Sequence, residues 1–152
     1  ILELTDKAIP GHVLNVYNPP AGGGKLMTIM QVKKFSVNDE GIQRQAAILA
    51  LSAFKELKTV ILVDEDVDIF DMNDVVWTLN TRFQGDQDVI VIPGMRNHPL
   101  DPSERPEYDP KSIRVRGMSS KTILDGTYPY DMKEVFKRAP FMKVEDWEKY
   151  LK

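Results

Sequence analysis

The sequence predicts an α/β domain: a mostly parallel sheet flanked by helices, with an N-terminal antiparallel strand pair and a long proline-rich loop towards the C terminus. Three observations predict it. Residues 59–63 (Thr-Val-Ile-Leu-Val) and 88–92 (Asp-Val-Ile-Val-Ile) are apolar on both faces, as strands sandwiched between helices must be. Around them, apolar residues recur at spacings of three and four, the period of a helix with one buried face. The resulting order of strand, helix, strand, helix, strand implies parallel pairing through right-handed crossovers.

The elements follow in order. Val13 to Tyr17 is β-prone. Asn18-Pro19-Pro20-Ala21-Gly22-Gly23-Gly24 must then be a loop, because Pro and Gly interrupt both regular structures. Residues 25–33 alternate, with Leu26, Thr28, Met30 and Val32 on one side, which predicts a second strand antiparallel to the first. Ser36 with Asp39 fits a capping box, and Ile42, Ala46, Leu49, Ala50, Ala53, Phe54 and Leu57 continue as the inner face of a helix. After the buried strand, Asp71 caps a second helix carrying Val75, Val76, Leu79 and Phe83. From Pro93 to Pro129 there are six prolines, and so long a loop is functional or interfacial. Residues 131–138 and 144–151 read as two short helices separated by Pro140.

Composition narrows the function classes. The length of 152 residues suits one domain, 1–152, and 42% apolar with 28% charged residues is ordinary for a globular chain. A net charge of −3 supplies no basic face for nucleic acid, so no nucleic-acid partner is expected. No apolar run approaches the ~20 residues that span a bilayer, so no membrane partner is expected. The absence of cysteine removes disulfide and thiolate chemistry and fits a cytoplasmic location. The chain opens Ile-Leu-Glu-Leu without Met, and we expect a larger protein to continue upstream.

The motifs are weak one by one. Gly22-Gly23-Gly24-Lys25 suggests a phosphate cradle, but a P-loop needs Gly where Pro19 stands and Ser or Thr where Leu26 stands. Asp64-Glu65-Asp66-Val67-Asp68 follows a buried strand, where α/β enzymes place metals. An EF-hand is excluded by Ile69 and Val75 at its Gly and Glu positions. Asp64 and Asp66 match the Asp-x-Asp of metal-dependent phosphatases, without the later acidic pair such enzymes need. His12 and His98 have no metal-ligand spacing. Ser119-Ser120-Lys121 has no His or acid in a triad order.

Taken together, several stretches resemble the C-terminal half of the UbiD family of prenylated-flavin-dependent decarboxylases. They are Val60 to Asp68, Asp74-Val75-Val76-Trp77 through Thr81-Arg82, Gly117-Met118-Ser119-Ser120-Lys121 through Leu124-Asp125-Gly126-Thr127, and Tyr128-Pro129-Tyr130-Asp131. The resemblance implies the C-terminal domain of a reversible aromatic acid decarboxylase that closes over substrate and builds a homo-oligomer. It implies a Glu-Arg-Glu catalytic trio, prenylated FMN, a divalent metal and potassium in the upstream region of the same protein. No catalytic residue, cofactor or metal is expected on this chain, and its acidic turn becomes structural.

The resemblance also places Asn97-His98-Pro99-Leu100-Asp101 in a loop lining the substrate pocket. His98 departs from the aromatic or small apolar residue usual there and implies a polar substituent, as on a hydroxybenzoate such as 3,4-dihydroxybenzoate. Lys25 would supply a second polar contact, and Pro99 and Leu100 would pack on the ring. Two rival readings are an oligomerisation module, with Met95, Ile113, Met118, Phe141 and Trp147 as its exposed apolar surface, and the metal-dependent phosphatase.

Overall fold

The computed structural model describes residues 1–101, 103, 118–139 and 149. Its helices are α1 (Leu2–Ala8), α2 (Ile42–Ala53) and α3 (Met72–Thr81), and its strands are β1 (Val13–Tyr17), β2 (Met27–Val32), β3 (Thr59–Asp64), β4 (Val89–Arg96) and β5 (Met118–Asp125). The strands form one sheet in the order β1-β2-β3-β5-β4. The central pairs β2–β3 and β3–β5 are parallel, and the outer pairs β1–β2 and β4–β5 are antiparallel. The α/β class and the N-terminal antiparallel pair are therefore as expected.

Both sheet faces are covered, which is why β3 is apolar throughout. Met30, Val32, Val60 and Leu62 pack with Ala46, Ala47, Ala50 and Leu51 of α2. Ile29, Ile61 and Val63 point the other way and pack with Val67, Ile69 and Val75 at and before α3. The three alanines bring α2 close to the sheet. Each larger apolar side chain buried there stabilises by ~1.5–3 kcal/mol. Among the described residues, no helix is long and apolar enough to cross a membrane.

Several elements differ from expectation. The Ser36–Asp39 cap forms, with Asp39 Oδ2 accepting from the Ser36 amide at 2.8 Å, but it closes only a 3₁₀ turn, Val37–Asp39. Gly41, at φ +91°, turns the chain before α2 starts. The buried face of α2 is then Gln43, Ala46, Ala47, Ala50 and Leu51, while Ala53 and Phe54 are exposed. Asp71 does cap α3, accepting from the Asn73 amide at 2.9 Å.

The largest correction concerns the region after Pro93. The stretch 88–92 is not a parallel central strand. It opens β4, an edge strand antiparallel to β5 with Val91 56% exposed. Pairing shifts between Ile92 and Met95, where Pro93 and Gly94 (φ +68°) interrupt it. The expected loop is also interrupted by β5, which lies inside the sheet between β3 and β4. Met95 and Met118 are half-buried at the end of this pair rather than free on a loop. Residues 131–138 are not an α-helix: a 3₁₀ turn, Tyr130–Met132, is followed by turns. Apart from Lys149, the helix expected over 144–151 lies outside the described residues, as do Ile113, Gly117, Phe141 and Trp147.

Candidate functional site

The parallel strands end at Asp64 and Asp125 and begin near Met27, Thr59 and Met118, so the sheet has two chemically distinct edges. At the C-terminal edge, Asp64 accepts from Arg82 Nη1 at 3.1 Å and from the Tyr128 amide at 3.0 Å. Arg82 is wholly buried and forks onto Asp66 at 2.9 and 2.6 Å. Its guanidinium lies 4.8 Å from the Tyr128 ring and 5.5 Å from the Trp77 ring. Arg138 adds bonds to Asp66 at 3.1 Å and Asp74 at 2.5 Å and stacks 4.3 Å over Trp77. Glu65 bridges Lys33 and Lys133 at 2.8 and 2.6 Å.

Burial pushes the Asp64 carboxyl up to about 7, against the pull of the Tyr128 amide and Arg82. Burial also works to raise Asp66, but the Arg82 fork and Arg138 hold it below the ordinary carboxylate value. The two carboxylates that resemble a phosphatase motif are thus spent on arginines. Next to them is a cleft of about 260 Å³ that includes Lys34, Arg44, Asp88, Asp125 and Thr127. Its charges are also paired: Lys34 with Glu40, and Arg44 with Asp88 and Asp125. Among the described residues, no cluster of three or more His, Asp or Glu side chains is arranged to hold a metal.

The opposite edge carries the residues singled out from the sequence. Lys25 is exposed at the exit of the glycine loop and borders a cavity of about 310 Å³ with Ile1, Asn18, Phe54, Glu56 and Leu57. The loop's amides are already committed. Gly22 and Gly24 donate to Pro19, Gly23 to Pro20, and Lys25 and Leu26 to Gly22, at 2.8–3.3 Å. A Cβ on Gly22 would stand 2.6 Å from Met27 Cβ. The glycines close the loop on itself, and no ring of free N–H groups remains for a phosphate.

His98 is half-buried on the loop that follows β4; Pro99 and Leu100 are exposed, Leu100 at 70%. The His98 carbonyl accepts from the Asp101 amide at 2.9 Å, and His98 Nδ1 accepts from the Leu100 amide at 3.1 Å. The second bond puts the proton of the neutral ring on Nε2, which becomes a donor. Asp101, 2% exposed, holds the turn from inside. It accepts from Asn97 at 2.5 Å, from the Ser103 amide and hydroxyl at 2.9 and 2.8 Å, and from Lys58 at 2.9 Å. Burial opposes its ionisation, but Lys58, Ser103 and Asn97 keep it down at about 2.

The sequence singles out His98 and Lys25 but not the contacts of Lys58 and Asp101, which hold the same edge together, nor Arg82 as the partner of the acidic turn. The Asp101-Pro102-Ser103 tripeptide was the one available signal, since Asp two residues before Ser favours a side-chain-capped turn. The structure brings the Lys25 and His98 loops to one edge, both tied to Lys58. It sets His12 elsewhere, with Nδ1 2.9 Å from the Lys33 carbonyl and the ring edge-on to Phe35.

Relatives place this arrangement. Residues 1–126 match the family model of the 3-octaprenyl-4-hydroxybenzoate carboxy-lyase C-terminal domain. The whole chain is 78% identical to 31% of the gallate decarboxylase of Lactiplantibacillus plantarum. Over 91% of its length it is 36% identical to 29% of the anhydromevalonate phosphate decarboxylase of Aeropyrum pernix. Among solved structures, the apo 3,4-dihydroxybenzoic acid decarboxylase of Klebsiella pneumoniae superposes with a TM-score of 0.86 at 54% identity, over 98% of this chain and 30% of that one. A UbiD-class enzyme of Pelotomaculum thermopropionicum in complex with FMN superposes at 0.78 and 28% identity, over 99% of this chain and 31% of that one. The chain thus spans about a third of the length of the relatives it matches. With the matched order of elements and the model match over residues 1–126, the chain belongs to the UbiD family, as its carboxy-lyase C-terminal domain.

Proposed function

We propose that this chain is the C-terminal domain of a reversible, non-oxidative decarboxylase of hydroxybenzoates such as 3,4-dihydroxybenzoate and gallate. One observation carries the reading: 78% identity to a gallate decarboxylase across all 152 residues. The catalytic Glu-Arg-Glu trio, the prenylated flavin with its divalent metal and potassium, and the remaining substrate contacts belong to the upstream region of the longer enzyme. The committed amides of the glycine loop and the paired carboxylates of the acidic turn fit that division. The loop amides donate within the loop, and Asp64 and Asp66 are bonded to Arg82.

The domain's part is to close over the substrate and to build the homo-oligomer. Closure removes water, and a phenolic hydroxyl left without a partner then costs ~1–3 kcal/mol. His98, with Nε2–H as its donor, and the Lys25 ammonium are the groups that meet the hydroxyls. Pro99 and the exposed Leu100 cover the ring. The prenylated flavin, when bound, supplies the electron sink for decarboxylation.

The test is carbon dioxide release by the full-length enzyme made together with a prenylated-flavin synthase. Turnover of 3,4-dihydroxybenzoate and gallate is expected. His98→Ala is expected to lower kcat/KM for them, relative to benzoate, by about tenfold or more. Turnover of cinnamate alone would remove the phenol-binding role of His98 and Lys25.

A further inference from the structure

The Lys25 and His98 loops reach the same sheet edge from distant parts of the chain, and Lys58 joins them. Lys58 stands immediately before β3. Its backbone amide donates to the Leu26 carbonyl at 2.9 Å, and the next amide, of Thr59, donates to the same oxygen at 3.0 Å. Leu26 directly follows Lys25, so the exit of the glycine loop is fixed to the start of β3. The Lys58 carbonyl accepts from the Thr122 amide at 2.9 Å, which fixes this same residue to β5. Its side chain then reaches the other way. Nζ lies 2.9 Å from Asp101 Oδ2 and 2.6 Å from Ser103 Oγ.

The electrostatics make this anchor strong. Asp101 is 2% exposed and Lys58 31%, so the carboxylate is out of water and the ammonium partly so, and their bond is ionic, which makes it stronger than a neutral one. Asp101 is bonded at both ends of the loop, to Asn97 before His98 and to Ser103 after it. Holding Asp101 therefore holds the turn in which the Leu100 amide reaches His98 Nδ1. The turn before Lys58 is itself braced from β5. The buried Lys121 ammonium donates to the carbonyls of Phe54, Lys55 and Leu57 at 3.1, 3.1 and 2.5 Å.

We infer that Lys58 is a positioning residue that sets the place of His98, and its Nε2–H donor, relative to Lys25. This rests on the proposed substrate contacts but makes a structural claim of its own. Loss of the anchor frees the loop without removing either contact residue. A displacement of about 1 Å in a positioned group costs up to ~100-fold in rate.

The experiment uses the full-length enzyme, loaded for kinetics, with Lys58→Met, Lys58→Arg and His98→Ala alone and combined. Two readouts are taken: imidazole nitrogen shifts, with the His98 signal assigned by its loss in His98→Ala, and kcat/KM for 3,4-dihydroxybenzoate relative to benzoate. Wild type should show His98 as the Nε2–H tautomer. Lys58→Met should average the tautomers and lower the specificity ratio about tenfold, whereas Lys58→Arg should retain most of both. In the His98→Ala background, Lys58→Met should add no further loss of specificity, which a merely structural residue would. Unchanged His98 shifts in Lys58→Met would overturn the inference. Averaged shifts with an unchanged specificity ratio would uphold the positioning and remove the substrate role of His98. Should Lys58→Met fail to fold, Asp101→Asn breaks the same ion pair at equal volume and is read by the same two measurements.

Discussion

Asp64 and Asp101 are both almost fully buried, one at each edge of the sheet, and their carboxyls shift in opposite directions. Asp64, 4% exposed, has one arginine nitrogen and one backbone amide and is pushed up to about 7. Asp101, 2% exposed, has donors from Lys58, Asn97 and twice from Ser103 and is held at about 2. Burial alone does not decide the state of a carboxylate. The number of donors replacing its lost water does. Asp64 must also share Arg82 with Asp66, which takes both terminal nitrogens. The C-terminal edge is a closed ring of charges that holds the chain from Tyr128 to Arg138 against the sheet. The opposite edge invests its buried carboxylate in one loop, which carries the half-buried His98 and the exposed Leu100.

The widest separation between the edges should come from Arg82→Met. Among the described residues this removes the one cation bonded to Asp64 and the bidentate partner of Asp66, and it leaves the buried Asp64 carboxyl unpaired beside the more exposed Asp66, which keeps Arg138. Breaking a buried pair from one side costs ~3–5 kcal/mol. We expect the urea midpoint to fall accordingly, with Asp64→Asn in the same chain recovering part of the loss. A loss below ~1 kcal/mol would mean that the ring is solvated and that the two edges do not differ in this respect.

The contrast in pH response is next in size. Asp64 titrates near 7 when folded and at about 3.8 when free. The folded state keeps its proton where the unfolded chain loses it, so this stability is complete below about 4 and lost as pH rises through 7. The integrated effect is at most ~4 kcal/mol. Asp64→Asn should abolish that slope and gain on wild type between pH 4.5 and 8. Denaturation curves whose midpoints move in parallel over that range would show that Arg82 keeps Asp64 ionised throughout.

The two edges also differ in how far the sequence exposes them. The alternation in β2 and the apolar run of β3 were legible because both faces are buried by hydrophobic packing. β5 was not, although it is central, because its buried side chains are Ser119, Lys121, Ile123 and Asp125. Those polar groups are tolerable only through distant partners: three carbonyls of the turn after α2 for Lys121, and Gln43, Arg44 and Thr127 for Asp125. No local pattern announces such partners. The same reasoning applies to the site. His98 and Lys25 stand out only through the family resemblance, whereas Lys58 and Asp101 gain meaning only when residues 43 apart in sequence meet. The acidic turn looks like a metal site when read alone for the converse reason, since its counter-charges come from Arg82 and Arg138, later in the chain.

Asp101→Asn gives the smallest effect and the sharpest comparison. Asp101 titrates at about 2 when folded and 3.8 when free, so its contribution is present above pH 4 and lost as pH falls towards 2, the reverse of Asp64. The shift corresponds to ~2 kcal/mol at pH 7. The amide keeps one acceptor for Ser103 but cannot pair with the Lys58 ammonium. Exchange of the Ser103 amide hydrogen should accelerate at pH 7 by about thirtyfold, the same free energy expressed as a local opening constant. The Tyr128 amide, bonded to Asp64 at the other edge, should exchange as in wild type. Equal acceleration of both amides would mean that Asp101 supports the whole fold rather than the His98 loop, and the division of labour between the two edges would fail with it.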